Sequence, residues 1–181
     1  MKSELVVIRK AQGFALIDLV FVCGIIGLLS SIALPRMLLA QQAAGASSAM
    51  GSLRTISSSE LTFALTCGNG FYAPNLLALG TPPPGSNDAF IAPGLSSGNT
   101  LVRSGYLFQL EGEPIPGAPA PCNSPNPGET AQGFRASADP VGAGNPRFFA
   151  INANGAIFEH DATLFADMPE IGEPAIGRLL R

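Results

Sequence analysis

The stretch FALIDLVFVCGIIGLLSSIAL, Phe14 to Leu34, decides how the chain is read. Asp18 is its one charged residue, and Leu19 to Pro35 carries none. At about 1.5 Å per residue a helix of this length covers about 30 Å, enough to cross the hydrocarbon core of a bilayer. Upstream stand Lys2, Arg9 and Lys10, and no lysine occurs elsewhere. A basic flank is retained on the cytoplasmic side, so the remainder of the chain is expected across the membrane. A secretory signal peptide fits less well, because its apolar core is shorter and a small-residue cleavage site follows it. Here the helical pattern simply continues.

Downstream, Met37 to Thr66 holds no proline and is rich in Ala, Leu, Gln, Ser and Met. Ala46, Ala49, Met50, Leu53, Ile56, Glu60 and Ala64 recur at three- and four-residue steps, the spacing of one helical face. Glu60 is the polar break in that stripe. Gln, Ser, Thr and Arg54 take the outward positions, as in an amphipathic helix packed on a domain. Gly45, Gly51 and Ser57 to Ser59 lower the intrinsic propensity, so this half depends on tertiary packing. The two halves together make a helix of about 53 residues, on the order of 80 Å. Cys67-Gly68-Asn69-Gly70 ends it, with glycine expected in the left-handed cap.

Two residues inside the segment need a reason. Asp18 in lipid costs about 2.5–3.5 kcal/mol on insertion scales, so either a partner or snorkelling to the interface is expected. Pro35 removes a backbone donor and is expected to kink or locally melt the helix, at about 3 kcal/mol. Alternatively, a membrane helix ends there and a separate helix follows.

These residues match a family pattern. Gly13-Phe14-Ala15-Leu16-Ile17-Asp18-Leu19, after Arg9-Lys10, resembles the class III signal of type IV pilins and of the pseudopilins of type II secretion. The resemblance implies that a prepilin peptidase cuts after Gly13 on the cytoplasmic side and methylates the new amine of Phe14. The fifth mature position, a glutamate in the family, is then Asp18, and the proline common at the twenty-second is Pro35. Asp for Glu, Ala15 for a frequent Thr, and Ala11-Gln12 between the basic pair and Gly13 are departures. Three segments follow: a leader at 1–13, a transmembrane and assembly half-helix at 14–36, and a head at 37–181. The implied product is a filament subunit that waits in the inner membrane and is polymerised by inner-membrane assembly machinery into a surface fibre of identical subunits. In such a fibre the amine of Phe14 pairs with Asp18 of a neighbour; removing one partner of a buried ion pair typically costs about 3–5 kcal/mol. Gly24, Gly27, Ala33 and Ala40 allow close helix approach, and Gly27 with Pro35 brackets a stretch that unwinding on assembly would use. The alternatives are a type II secretion pseudopilin and a single-span envelope protein that binds a ligand without polymerising.

Past residue 67 the composition shifts. Most of the 21 glycines and 16 prolines lie here, and residues 111–130 alone hold six prolines. A short helix is expected after Pro74, ended by Gly80. Strands are expected at Gly105–Leu110, Gly133–Ala138, Arg147–Ile151 and Ala156–Glu159, the last two joined by Asn154-Gly155 as a two-residue turn with positive φ at both positions. The fold class is therefore α+β: a long helix, transmembrane then amphipathic, on an antiparallel sheet of about four strands. Cys23 lies in the apolar stretch, so Cys67 with Cys122 is the pairing that avoids the membrane, in a compartment where disulfides persist; two unpaired thiols are the alternative.

No enzyme is expected. Nucleophile elbow, phosphate loop, CxxC and zinc-ligand spacings are missing, and His160, between Glu159 and Asp161, reads as part of a solvated turn. Asp161, Asp167, Glu170 and Glu173 make a calcium site conceivable without a matching ligand motif, so no metal or other cofactor is assigned. With a net charge of −3 and no basic run, nothing points to nucleic acid.

Overall fold

The computed structural model describes residues 16–142 and 145–180. They divide into two compact units after Gln41. The first α-helix, α1, runs Leu16–Thr66. It passes Pro35 without losing helical geometry, which corrects both the local melt expected there and the alternative of two separate helices. One missing donor is too small a defect to interrupt a run of strong helix formers on either side.

In the second unit α1 buries Ala46, Ala49, Leu53, Ile56, Glu60 and Ala64 of the stripe that the three- and four-residue spacing predicts, with Met50 only partly buried and Phe63 added to it. Gly45 has a packing role: a Cβ there would sit 3.1 Å from the Ser104 carbonyl and 3.6 Å from the Tyr106 ring. The glycine lets a β-turn approach the helix. At the other end the amides of Gly68 and Gly70 close back on the carbonyls of Phe63 and Ala64. The left-handed residues are Asn69 (φ 54°) and Gly70 (φ 93°). Gly68 serves instead for its lack of a side chain, since a Cβ would lie 2.0 Å from the Phe71 carbonyl. A short helix, α2 (Leu76–Leu79), follows as expected, its N-terminus capped by the Asn75 side chain, which accepts from the Ala78 amide.

Six strands form one antiparallel sheet in the order β1 (Thr100–Arg103), β2 (Tyr106–Glu111), β3 (Arg135–Pro140), β4 (Phe148–Asn152), β5 (Ile157–His160) and β6 (Arg178–Leu179), each beside its neighbours in sequence. The four expected strands are β2 to β5; β1 and β6 extend the sheet at its two edges. The tight two-residue turn with positive φ at both positions is Ser104-Gly105 (φ 51° and 79°), between Arg103 and Tyr106. At Asn154-Gly155 only Gly155 takes positive φ. There the Gly155 amide returns to the Asn152 carbonyl and the last paired residues are Ile151 and Ile157, so this hairpin has the longer loop with a left-handed glycine after the turn.

Alternation sorts the side chains of the sheet. Tyr106, Phe108 and Leu110 of β2, Ala136 and Ala138 of β3, and Phe149 and Ile151 of β4 join the helix stripe in one core. The opposite face is covered too, which the sequence reading did not anticipate: Ala150 and Phe158 pack with Leu164 and Met168 from the segment after β5. Central strands buried on both faces lose the clean apolar–polar alternation, as Ser137 shows.

Candidate functional site

From Leu16 to Gln41 every residue of α1 is exposed. Leu16 is 79% accessible, Phe21 68% and Leu28 71%. A continuous helix surface of this apolarity has no partner inside its own unit, and such a surface marks a membrane or a protein contact. The helix is long and apolar enough to cross a bilayer. Asp18 lies in its first turn. A Cβ added at Gly24 or Gly27 meets nothing within 4 Å among the described residues. Cys23 is a free, exposed thiol on the same helix. Gly13 and Phe14, the expected cleavage and methylation positions, lie outside the described residues.

The second unit carries the disulfide. Cys67 and Cys122 are bonded, with Cα atoms 4.8 Å apart and a sequence separation of 55; the Cys122 amide also donates to the Cys67 carbonyl at 3.0 Å. The bridge fastens the Pro-rich segment to the end of α1. An open groove of about 480 Å³ beside it is lined by Phe63, Pro74, Leu77, Pro121, Asn123 and Glu129. Its polar groups are already occupied. Asn123 donates to the carbonyls of Ala78 and Thr81, and the Glu129 carboxylate accepts from Ser124 and Asn126. Those two donors hold the Glu129 carboxyl below the usual range.

Glu60 is the polar break of the helix stripe, and it is fully buried. Its Oε2 accepts from the Ala73 amide at 2.8 Å, while Oε1 has no partner in the described residues. Desolvation pushes its pKa well above the ordinary carboxylate value, against a smaller lowering by the Ala73 amide. Burial therefore favours its protonated form over a buried charge. Glu159 is the contrasting case. It accepts from Arg147 and from Arg178, the latter at 2.6 Å, and the Arg147 hydrogen bond is the main cause of a lowered pKa. This clamp ties β6 to the sheet, and sequence reading missed it because Arg178 is paired only by the fold.

The C-terminal acids do not converge: among the described residues no group of three or more metal-ligating side chains is found. Glu170 lines a recess with Glu111, Glu113 and Arg135 and accepts from the Glu113 amide. His160 is the last residue of β5, paired with Phe148 and half-buried, rather than part of the solvated turn expected; its Nδ1 accepts from the Ala162 amide at 3.1 Å and lies 3.0 Å from Asp161.

Searches against protein families, curated proteins and solved structures find no match to this chain. The class it defines therefore rests on its own architecture. A long apolar N-terminal helix, packed through its second half on an antiparallel sheet and closed by a disulfide, is a pilin-like architecture. The apolar helix suggests membrane anchoring or secretion, and the disulfide fits an extracytoplasmic location.

Proposed function

We propose that this chain is a structural, non-catalytic subunit of a type IV pilus-like filament. The observation that carries the reading is the wholly exposed apolar half of α1 with Asp18 in its first turn. Before assembly lipid covers that surface; in the fibre, copies of the same helix do. A lone carboxylate at the membrane end of the helix costs about 2.5–3.5 kcal/mol in lipid. Pairing with a neighbour's freed N-terminal amine offsets that cost, so assembly is favoured over remaining in the bilayer. The partners are identical subunits, a prepilin peptidase that cuts between Gly13 and Phe14, and the inner-membrane assembly machinery. The disulfide-closed head then lies outside the cytoplasm and at last on the cell surface.

The test is mass spectrometry of the N-terminus in cells with an active prepilin peptidase, together with electron microscopy of sheared surface material. A methylated Phe14 and fibres containing the chain are expected. An intact Met1 in a chain that stays single in the membrane overturns the proposal. Asp18→Ala is expected to insert in the membrane normally and to form no fibres; normal fibres from it would remove the charge-pairing role.

A further inference from the structure

Between Leu16 and Gln41 the charged residues are Asp18 and Arg36. Both are exposed on α1. No hydrogen bond or ion pair engages either within the described residues. Their spacing is specific. Eighteen positions are about five turns at 3.6 residues per turn, so the two side chains lie on one face of the helix, about 27 Å apart. Val22, Ile25, Leu29 and Ile32 fall along the line between them at helical steps. The face is an aliphatic stripe with an anion at one end and a cation at the other.

We infer that this stripe is the register key of the filament: Asp18 of one copy pairs with Arg36 of another copy displaced by about 27 Å along the helix axis. The inference rests on the proposed function and names the contact that fixes its stagger. The occupant of the face is a second copy, chosen by charge complementarity. Copies inserted with the same orientation are parallel. Parallel copies in register set Asp18 against Asp18 and Arg36 against Arg36, which is repulsive. Antiparallel copies match charges but need opposite insertion. A parallel shift of five turns matches charges and keeps the orientation, and it sets Val22 against Ala40 and Ile25 against Ala43, small residues that allow close approach. The contact is heterologous, each copy using its two ends toward different neighbours, and so propagates into an open fibre rather than closing as a dimer. Because both charges share one face, a single rotation of the helix about its own axis can present both to neighbouring copies. Asp18 has two carboxylate oxygens, so the guanidinium and the Phe14 amine of different neighbours can both be accepted there.

Full-length precursor in a Cys23→Ser background, expressed with its peptidase and assembly machinery, provides the test. The pair Val22→Cys/Ala40→Cys keeps the 18-residue offset and leaves both charges in place. Oxidation of sheared fibres is expected to give a ladder of linked chains on a non-reducing gel. Val22→Cys/Ile32→Cys lies on the same stripe with the wrong offset and is expected to give at most a tenth of that ladder. Adding Arg36→Glu to the 22/40 pair is expected to abolish the ladder, and Arg36→Lys to retain it. Fibres that link through 22/32 as well as through 22/40, or not through 22/40 at all, overturn the register while leaving the filament function standing. Unchanged linking with Arg36→Glu reduces Arg36 to an anchor at the lipid interface and likewise overturns the pairing. Absence of fibres from the unaltered chain overturns the proposed function itself.

Discussion

Glu60 should make the head less stable as pH rises above the ordinary carboxylate range, against the usual behaviour of paired carboxylates. Its folded pKa is raised by burial, whereas in the unfolded chain it titrates near 4.3. Between those two values the folded state holds a proton that the unfolded state has released. Stability contributed by this group is therefore complete below the unfolded pKa and is lost as pH rises toward the folded one. The limiting slope for one such proton is about 1.4 kcal/mol per pH unit. Glu60→Gln removes the proton but keeps a carbonyl oxygen for the Ala73 amide, which Oε2 now serves at 2.8 Å. The variant should match the unaltered protein near pH 4 and gain on it steadily above pH 5. Urea unfolding in detergent, followed by the fluorescence of Tyr72 and Tyr106, reports on the head alone, since the chain has two tyrosines and no tryptophan. Asp139 and Glu170 are also raised by burial, but both variants share them and the difference cancels them. A stability difference that stays constant from pH 4 to 8 refutes the assignment of Glu60 as a neutral buried acid.

Cys122→Ala should cost roughly 4 kcal/mol, the chain-entropy value for a loop of this length, read as a lower urea midpoint that reductant lowers in the unaltered protein and not in the variant. Glu159 works in the opposite pH direction from Glu60: its lowered pKa gives stability present above about 4.3, the unfolded value, and lost as pH falls through the folded one. Amide exchange at Leu180, whose N–H donates to the Ile157 carbonyl, should accelerate in acid before the central strands do, and Glu159→Gln should produce that fraying at neutral pH. Gly68→Ala should destabilise by about 3 kcal/mol, because overpacking this tight against the Phe71 carbonyl cannot relax by a rotamer change; thermal unfolding by circular dichroism measures it.

What the sequence disclosed follows the range of the interactions involved. The buried face of α1 was legible because its spacing is local and repeats over five turns. Strands β4 and β5 were legible from Phe148, Phe149, Ile157 and Phe158. Strand β1 was not: it is four residues long, follows a Gly- and Ser-rich stretch, and turns through Ser104-Gly105, a weaker signal than Asn-Gly. Strand β6 has two residues and owes its place to Glu159, 19 positions away. Glu60 stood out as a break in the stripe, but its partner, the Ala73 amide, lies past the helix end. The covering of the outer sheet face by Leu164 and Met168 left no periodic trace. Of the expected site, Asp18, Gly27 and Pro35 fall on one exposed helix and Cys67 meets Cys122, while Gly13 and Phe14 lie outside the described residues.

One helix thus meets two different demands. After Gln41 the stripe Ala46, Ala49, Leu53, Ile56, Phe63 and Ala64 is buried, in a head held by a disulfide, an ion-pair clamp and an aromatic core that includes the Tyr106–Phe149 and Phe63–Phe90 contacts. Before Gln42 nothing described in the same unit buries the helix's apolar residues. Within that unit the apolar surface of Leu16 to Leu39 is uncovered, and on the proposed function lipid or other copies cover it. Lipid and protein hardly differ for aliphatic side chains, because hydrocarbon solvates leucine as well as leucine does. The choice between them then falls to the few groups that lipid solvates badly. On this surface those groups are Asp18, Arg36 and the backbone carbonyl left without a donor by Pro35. Substitutions among the aliphatic residues should shift the balance little, and substitutions of the two charges should shift it most. Substitutions in the head should change its stability without changing which of the two environments the helix prefers.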